Sequence, residues 1–174
     1  NLLDRNFLGL EQEEEFLKRI FPFTTIEKFI AEVTDVFFKK DFVTCARIEE
    51  IIKTLKDSYI HDIHFLALSG MGKTRIIMEA FKDEGDVFYS PTANCTDQLR
   101  LLVKERPDCT IVVDECDNDQ RRKLKKIIRT HGANNKLITI NNELSYDEER
   151  VDGDVLIQFE YDEAKEVVNK LIEN

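Results

Sequence analysis

The chain has 174 residues, 42% of them hydrophobic and 34% charged, with six glycines and three prolines. That supports one domain with a buried core and argues against a disordered or low-complexity tract. A formal net charge of −10 repels phosphate backbones, so no generic nucleic-acid binding is expected, and no apolar run approaches the ~18 residues that cross a membrane.

Residues 1–40 read as helical. Phe16, Leu17, Ile20 and Phe21 share one face. Thr24 with Glu27 reads as a capping box opening a second helix, striped by Ile26, Phe29, Ile30, Val33 and Phe37. A third helix is predicted from about Thr44 to Lys56. Ile63 to Leu68 is then a short apolar run that meets a glycine turn and a helix of roughly ten residues. Strands are predicted at Asp86–Ser90, Thr110–Asp114, Lys136–Ile140 and Val155–Phe159. Helices are predicted at Asp97–Glu105, at Asp117–Thr130 with Gly132 as its cap, and at Asp162–Ile172. Five strands alternating with helices imply a parallel sheet covered on both faces.

Cys45, Cys95, Cys109 and Cys116 show no CxxC or zinc spacing and read as reduced structural thiols of a cytoplasmic protein. The run Arg121, Arg122, Lys123, Lys125, Lys126 and Arg129 reads first as a solvated helix face. Its functional alternative is a subunit contact or a phosphate contact in trans. The chain starts at Asn1 rather than Met, so a fragment of a longer protein is expected.

The chemistry concentrates at Ala67-Leu68-Ser69-Gly70-Met71-Gly72-Lys73-Thr74. This matches the phosphate-binding pattern G-x-x-x-x-G-K-[ST], with Ala67 in place of the first glycine. Gly70 and Gly72 let the loop turn its N–H groups inward. The following helix brings its positive end to the phosphates. Ser69, Gly70, Met71, Gly72, Lys73, Thr74 and Arg75 are the candidate nucleotide contacts, Lys73 reaching the β/γ-phosphates and Thr74 a magnesium ion. About forty residues on, Asp114 ends an apolar strand and suits magnesium. Glu115 follows as candidate general base. The nearest string to a guanine motif, Asn135-Lys136-Leu137-Ile138, lacks its Asp, so ATP is preferred over GTP. Asn141 or Asn142, at the tip of the next strand, is the candidate γ-phosphate sensor.

These motifs, together with Asp41-Phe42-Val43, Arg47-Ile48-Glu49-Glu50-Ile51 and Glu163-Ala164-Lys165, resemble the nucleotide-binding domains of STAND ATPases. Those are AAA+-related signalling switches, and the resemblance covers roughly residues 41–174. It implies a three-layer α/β/α sandwich of the additional-strand P-loop type, with a five-stranded parallel sheet in the order 5-1-4-3-2. It places Phe42 and Val43 on the adenine and leaves 1–40 as a helical linker. It also implies ATP and Mg2+ as ligands, self-association through the ATPase domain in the full-length protein, and work in signalling or antiviral defence. Arg122 and Arg129 are its candidates for an arginine finger. Competing readings are an AAA+-like remodelling or loader ATPase and a non-catalytic nucleotide-binding scaffold.

Overall fold

The computed structural model describes residues 2–37, 42–131, 134–142, 155–159, 162, 163 and 165. In chain order they form α1 (Leu2–Arg19), β1 (Thr24–Thr25), α2 (Ile26–Phe37), α3 (Ala46–Lys56), β2 (Asp62–Ala67) and α4 (Lys73–Phe81). Then come β3 (Val87–Ser90), α5 (Thr96–Glu105), β4 (Thr110–Val113), α6 (Asn118–Thr130), β5 (Lys136–Asn141) and β6 (Val155–Phe159). Gly132 and most of the expected closing helix lie outside the described residues.

The strands make one sheet in the order β1-β3-β4-β5-β2-β6. Five of them, β3-β4-β5-β2-β6, are parallel, whereas β1 pairs antiparallel with β3, Thr24 opposite Tyr89. This corrects the expected five-stranded sheet: a sixth, edge strand is added from residues read as helical. Two β-branched threonines sit well in extended backbone, and the outer edge of β3 offers them unpaired N–H and C=O groups. The helix cap moves accordingly. Thr24 is in the strand, and it is Thr25 whose Oγ1 accepts from Lys28 N, at 3.3 Å. Phe21 also leaves the apolar face assigned to it, because α1 ends at Arg19 and the chain turns; Phe21 is 75% exposed.

Side chains alternate across the sheet with period two. Ile63, Phe65 and Ala67 of β2, Val112 of β4 and Ile138 and Ile140 of β5 face one layer, where they meet Ile26 of α2, Ile51 and Leu55 of α3 and Ile77 of α4. Phe88, Ile111, Val113 and Leu137 face the other, against Phe16 of α1, Leu99 and Leu102 of α5 and Leu124 of α6. Each fully buried side chain of this kind contributes about 1.5–3 kcal/mol. The N-terminal helices thus pack one on each face, and their residues belong to the same two cores as the motif-bearing strands. Among the described residues no helix is long and apolar enough to cross a membrane.

Helix α6 departs from a solvated face at two positions. Arg121 and Lys125 are buried. Arg121 Nε donates to Thr139 Oγ1 at 2.9 Å, and Lys125 Nζ pairs with Asp62 at 3.4 Å. Their long stems cover the sheet while strand residues receive the charged ends. Arg122, Lys123, Lys126 and Arg129 remain exposed.

All four cysteines are free and buried. Burial pushes the Cys95 thiol from its ordinary 9.0 to about 11, and those of Cys109 and Cys116 to about 12. Because the folded values are raised, their stabilising contribution is full below pH 9 and is lost as pH climbs toward 11–12, where the unfolded chain ionises first. Stability should fall by about 1.4 kcal/mol per pH unit for each thiol in that window. Urea midpoints at about pH 8 and 10 test this. The drop should shrink in a Cys109→Ala, Cys116→Ala variant, and an equal drop there would contradict it.

Candidate functional site

Parallel pairing brings the C-terminal ends of the strands to one edge of the sheet. Ser90 lies beside Val113, Val113 beside Thr139, Leu66 beside Asn141 and Ala67 beside Phe159. The loops after β2, β4 and β5 leave from this edge. Open α/β sheets bind ligands at this edge.

The loop after β2 runs from Leu68 to Gly72 and feeds α4 directly. Gly70 and Gly72 have φ of 82° and 81°, in the left-handed region that side chains with a Cβ rarely adopt. A Cβ added at either would meet nothing within 4 Å, so backbone conformation, rather than crowding, calls for glycine. Ala67 ends β2 without a positive φ, which is why it can stand where the pattern has glycine. Gly72 is the N-cap of α4, and no side chain caps the helix. The N-cap side chain thus takes up none of its first amides, which lie at the positive end of the dipole. Lys73 is buried at 5% exposure, and its ammonium donates to Ala67 O at 2.7 Å and Leu68 O at 2.9 Å. Burial lowers its pKa, with Asp114 acting in the opposite sense. A cation thus sits inside the loop, beside uncapped amides: the residues present fit a phosphate group.

Thr74, one residue on, meets Asp114. Thr74 Oγ1 donates to Asp114 Oδ2 at 3.1 Å across 40 residues of sequence. Asp114 lies just beyond β4, where its own N–H donates to Ser90 O at 2.9 Å. Its carboxylate accepts two further bonds, from Tyr89 OH at 2.9 Å and from the Glu115 N–H at 2.8 Å. Burial and the neighbouring Asp114 push the Tyr89 pKa upward, keeping the phenol protonated as a donor. The Tyr89 ring stacks on Phe29 of α2, centroids 4.1 Å apart. Glu115 is exposed, with φ of 50°. The next amide, Cys116 N, donates to Ile140 O at 2.9 Å and ties this turn to the tip of β5.

Tyr89 was not among the sequence candidates. Its strand was read, but its role depends on β3 lying next to β4, with Tyr89 opposite Val112 and two positions short of Asp114. Strand neighbours combined with alternation would have found it.

The remaining candidates fall around this centre. Ser69 and Gly70 are exposed on the loop and Met71 is half-buried against the α2–α3–α4 core. Asn141 ends β5 and Asn142 follows it, exposed; Asn141 Oδ1 accepts from Asn142 N at 2.7 Å. Both lie at the strand tip between the ends of β2 and β4. Arg75 turns along α4 to pair with Glu79 at 3.0 Å, and its guanidinium lies 5.7 Å from the centre of the Phe42 ring. Phe42 and Val43 are half-buried just before α3. Arg47, from the same segment, donates to Gln158 O at 3.0 Å and pairs with Glu163 at 3.0 Å, fastening α3 to β6.

No family model and no curated protein matches the chain. Among solved structures it is similar to that titled "Structure of Rhizobiales Trip13", with 14% identity, a TM-score of 0.41 and 81% of this chain covered. The match spans 58% of the Trip13 chain. At this depth the likeness carries no argument, and the functional reading rests on the residues of this chain.

Proposed function

We propose that this chain binds ATP with magnesium and hydrolyses it, serving as the switch domain of a larger STAND-like signalling or antiviral-defence protein. One observation carries the ATP reading: Thr74 and Asp114 meet at 3.1 Å beside the Lys73 loop. A hydroxyl and a carboxylate in contact, next to an uncapped helix start and a loop-bound ammonium, suit a magnesium–phosphate group. Among the described residues no group of three or more His, Cys, Asp or Glu could hold a metal. Thr74 and Asp114 would therefore share the ion with water and phosphate, as magnesium sites commonly do.

Bound magnesium–ATP would supply the anhydride to be cleaved. The protein's part is to orient and to move a proton. Lys73 and the first amides of α4 hold negative charge, Tyr89 and Thr74 fix the Asp114 carboxylate, and Glu115 accepts a proton from the attacking water. The preference for ATP over GTP gains support from Asn135 and Lys136, which lie at the opposite, N-terminal end of β5. Asn135 Nδ2 donates to Arg106 O at 2.9 Å, and Lys136 Nζ donates to Asp57 O at 2.8 Å. Neither serves as a guanine reader there. The switch role rests on the resemblance of the Asp114-Glu115 pair and the Asn-tipped β5 to STAND domains.

A titration with a fluorescent ATP analogue, with and without magnesium, tests the reading. Wild type should bind at least tenfold more tightly with the ion, and Asp114→Asn should lose that difference. Equal magnesium dependence in the two would remove Asp114 from the site.

A further inference from the structure

Charge is unevenly spread over this acidic chain. Helix α6 carries six Lys and Arg against the single acid Asp119. With a chain total of −10, a helix holding +5 leaves −15 for everything else. Two of the six cations are buried in the fold, which leaves Arg122, Lys123, Lys126 and Arg129 on the outer surface. Arg100 of α5 joins them across a cleft of about 460 Å³ that is also lined by Thr96, Lys123, Lys126, Thr130 and His131. A second hollow, of about 310 Å³, continues on the other side of Lys126 between Arg122 and Arg129. The two share Lys126 and Thr130, so the cations form one strip along α6.

We propose that this α5–α6 strip binds the phosphodiester backbone of a nucleic acid. Among the described residues Lys123 and Lys126 have no ionic partner. Arg100 and Arg122 pair only with exposed acids three residues away on their own helices, contacts worth well under 1 kcal/mol and easily exchanged for phosphate. Arg129 lies 3.9 Å from Asp62. From Arg122 to Arg129 the helix advances ~10 Å, at ~1.5 Å per residue. Phosphates of one strand recur every ~3.4 Å of axial rise along a duplex, so a strip of this length can meet several of them. Thr96 adds a hydroxyl within the cleft, whereas the Thr130 hydroxyl donates to Lys126 O at 2.7 Å.

The lining favours a backbone over a protein partner. Its one aliphatic side chain, Ile127, is buried at 7% exposure, and among the described residues no Phe, Tyr or Trp lines either hollow. A specific protein interface needs such anchors exposed at its centre, whereas sequence-independent phosphate contacts do not. Acids elsewhere on the chain do not forbid binding, because the screening length in physiological salt is about 8 Å. The net-charge expectation concerns the surface as a whole, and the proposal concerns this face alone. The inference is independent of the nucleotide site.

Fluorescence anisotropy with a labelled single strand and a labelled duplex, each about 20 nucleotides long, tests it without ATP. With about four phosphate contacts, log affinity should fall against log salt with a slope of about −3 to −4 on the duplex and somewhat less on the single strand. The double variant Lys123→Gln, Lys126→Gln should weaken binding roughly tenfold or more at about 50 mM salt and flatten the slope by about 2. The control Lys28→Gln, Lys53→Gln removes the same charge from exposed positions on α2 and α3 and should behave as wild type. No salt-dependent binding, or an equal loss in the control, would overturn the proposal. So would displacement by polyglutamate as potent, per charge, as by unlabelled oligonucleotide, which would assign the strip to an acidic polypeptide.

Discussion

Glu115→Gln should slow ATP hydrolysis by about 10²- to 10⁴-fold while leaving ATP affinity within a few-fold of wild type. Glu115 is exposed at the sheet edge, and its N–H is held by Asp114 Oδ1 at 2.8 Å. Its φ of 50° is one of two positive values at non-glycine positions among the described residues. Such backbone costs on the order of 1 kcal/mol and persists only where the surroundings enforce it. The enforcing contacts are on both sides: Asp114 N on Ser90 O, and Cys116 N on Ile140 O, each at 2.9 Å. The turn that carries Glu115 is thereby tied to two strands. Gln keeps the backbone demand and the size and removes only the proton-accepting charge. Phosphate release under single-turnover conditions is the measurement, with filter retention of labelled ATP as the binding control. Unchanged release would exclude Glu115 as the base.

The second large effect is at Lys73. Lys73→Met should weaken ATP binding about a hundredfold, or about 2.7 kcal/mol, yet alter folding stability by less than about 1 kcal/mol. The two halves of this prediction follow from one fact. The ammonium is buried, donates to two loop carbonyls, and has its pKa lowered by desolvation. A buried charge opposes folding unless its partners compensate, and here they are neutral carbonyls. Methionine keeps the apolar stem and drops the charge. A residue that stabilises the fold little but binds phosphate strongly is the pattern expected of a functional group. Nucleotide titration and thermal unfolding on the same sample separate the halves. A stability loss above about 3 kcal/mol with unchanged affinity would make Lys73 structural.

The sheet and the site were not equally legible in the sequence. Apolar runs such as Ile63–Leu68 and Ile111–Val113 betrayed buried parallel strands, because both faces of each are covered and nearly every residue is apolar; the exception, His64, is buried against Thr139 Oγ1 at 2.8 Å. The glycine loop was legible because its geometry demands particular residues: Gly70 and Gly72 occupy backbone that few others adopt. What failed to show was what depends on neighbours distant in sequence. Two threonines carry no periodicity, so β1 could be found only by knowing that the edge of β3 was open beside it. Tyr89 looked like one more strand aromatic until Asp114 and Phe29 were placed around it. Arg121 and Lys125 looked solvated because composition does not reveal that Thr139 and Asp62 wait on the strands beneath.

The central claim is that the Lys73 loop and Asp114 together hold magnesium–ATP, and calorimetric titration of the wild-type chain tests it most directly. ATP with magnesium should give a saturable heat at one site per chain, reduced at least tenfold in affinity by removal of the ion and weaker for GTP. Absence of saturable heat at millimolar ATP with magnesium would contradict it.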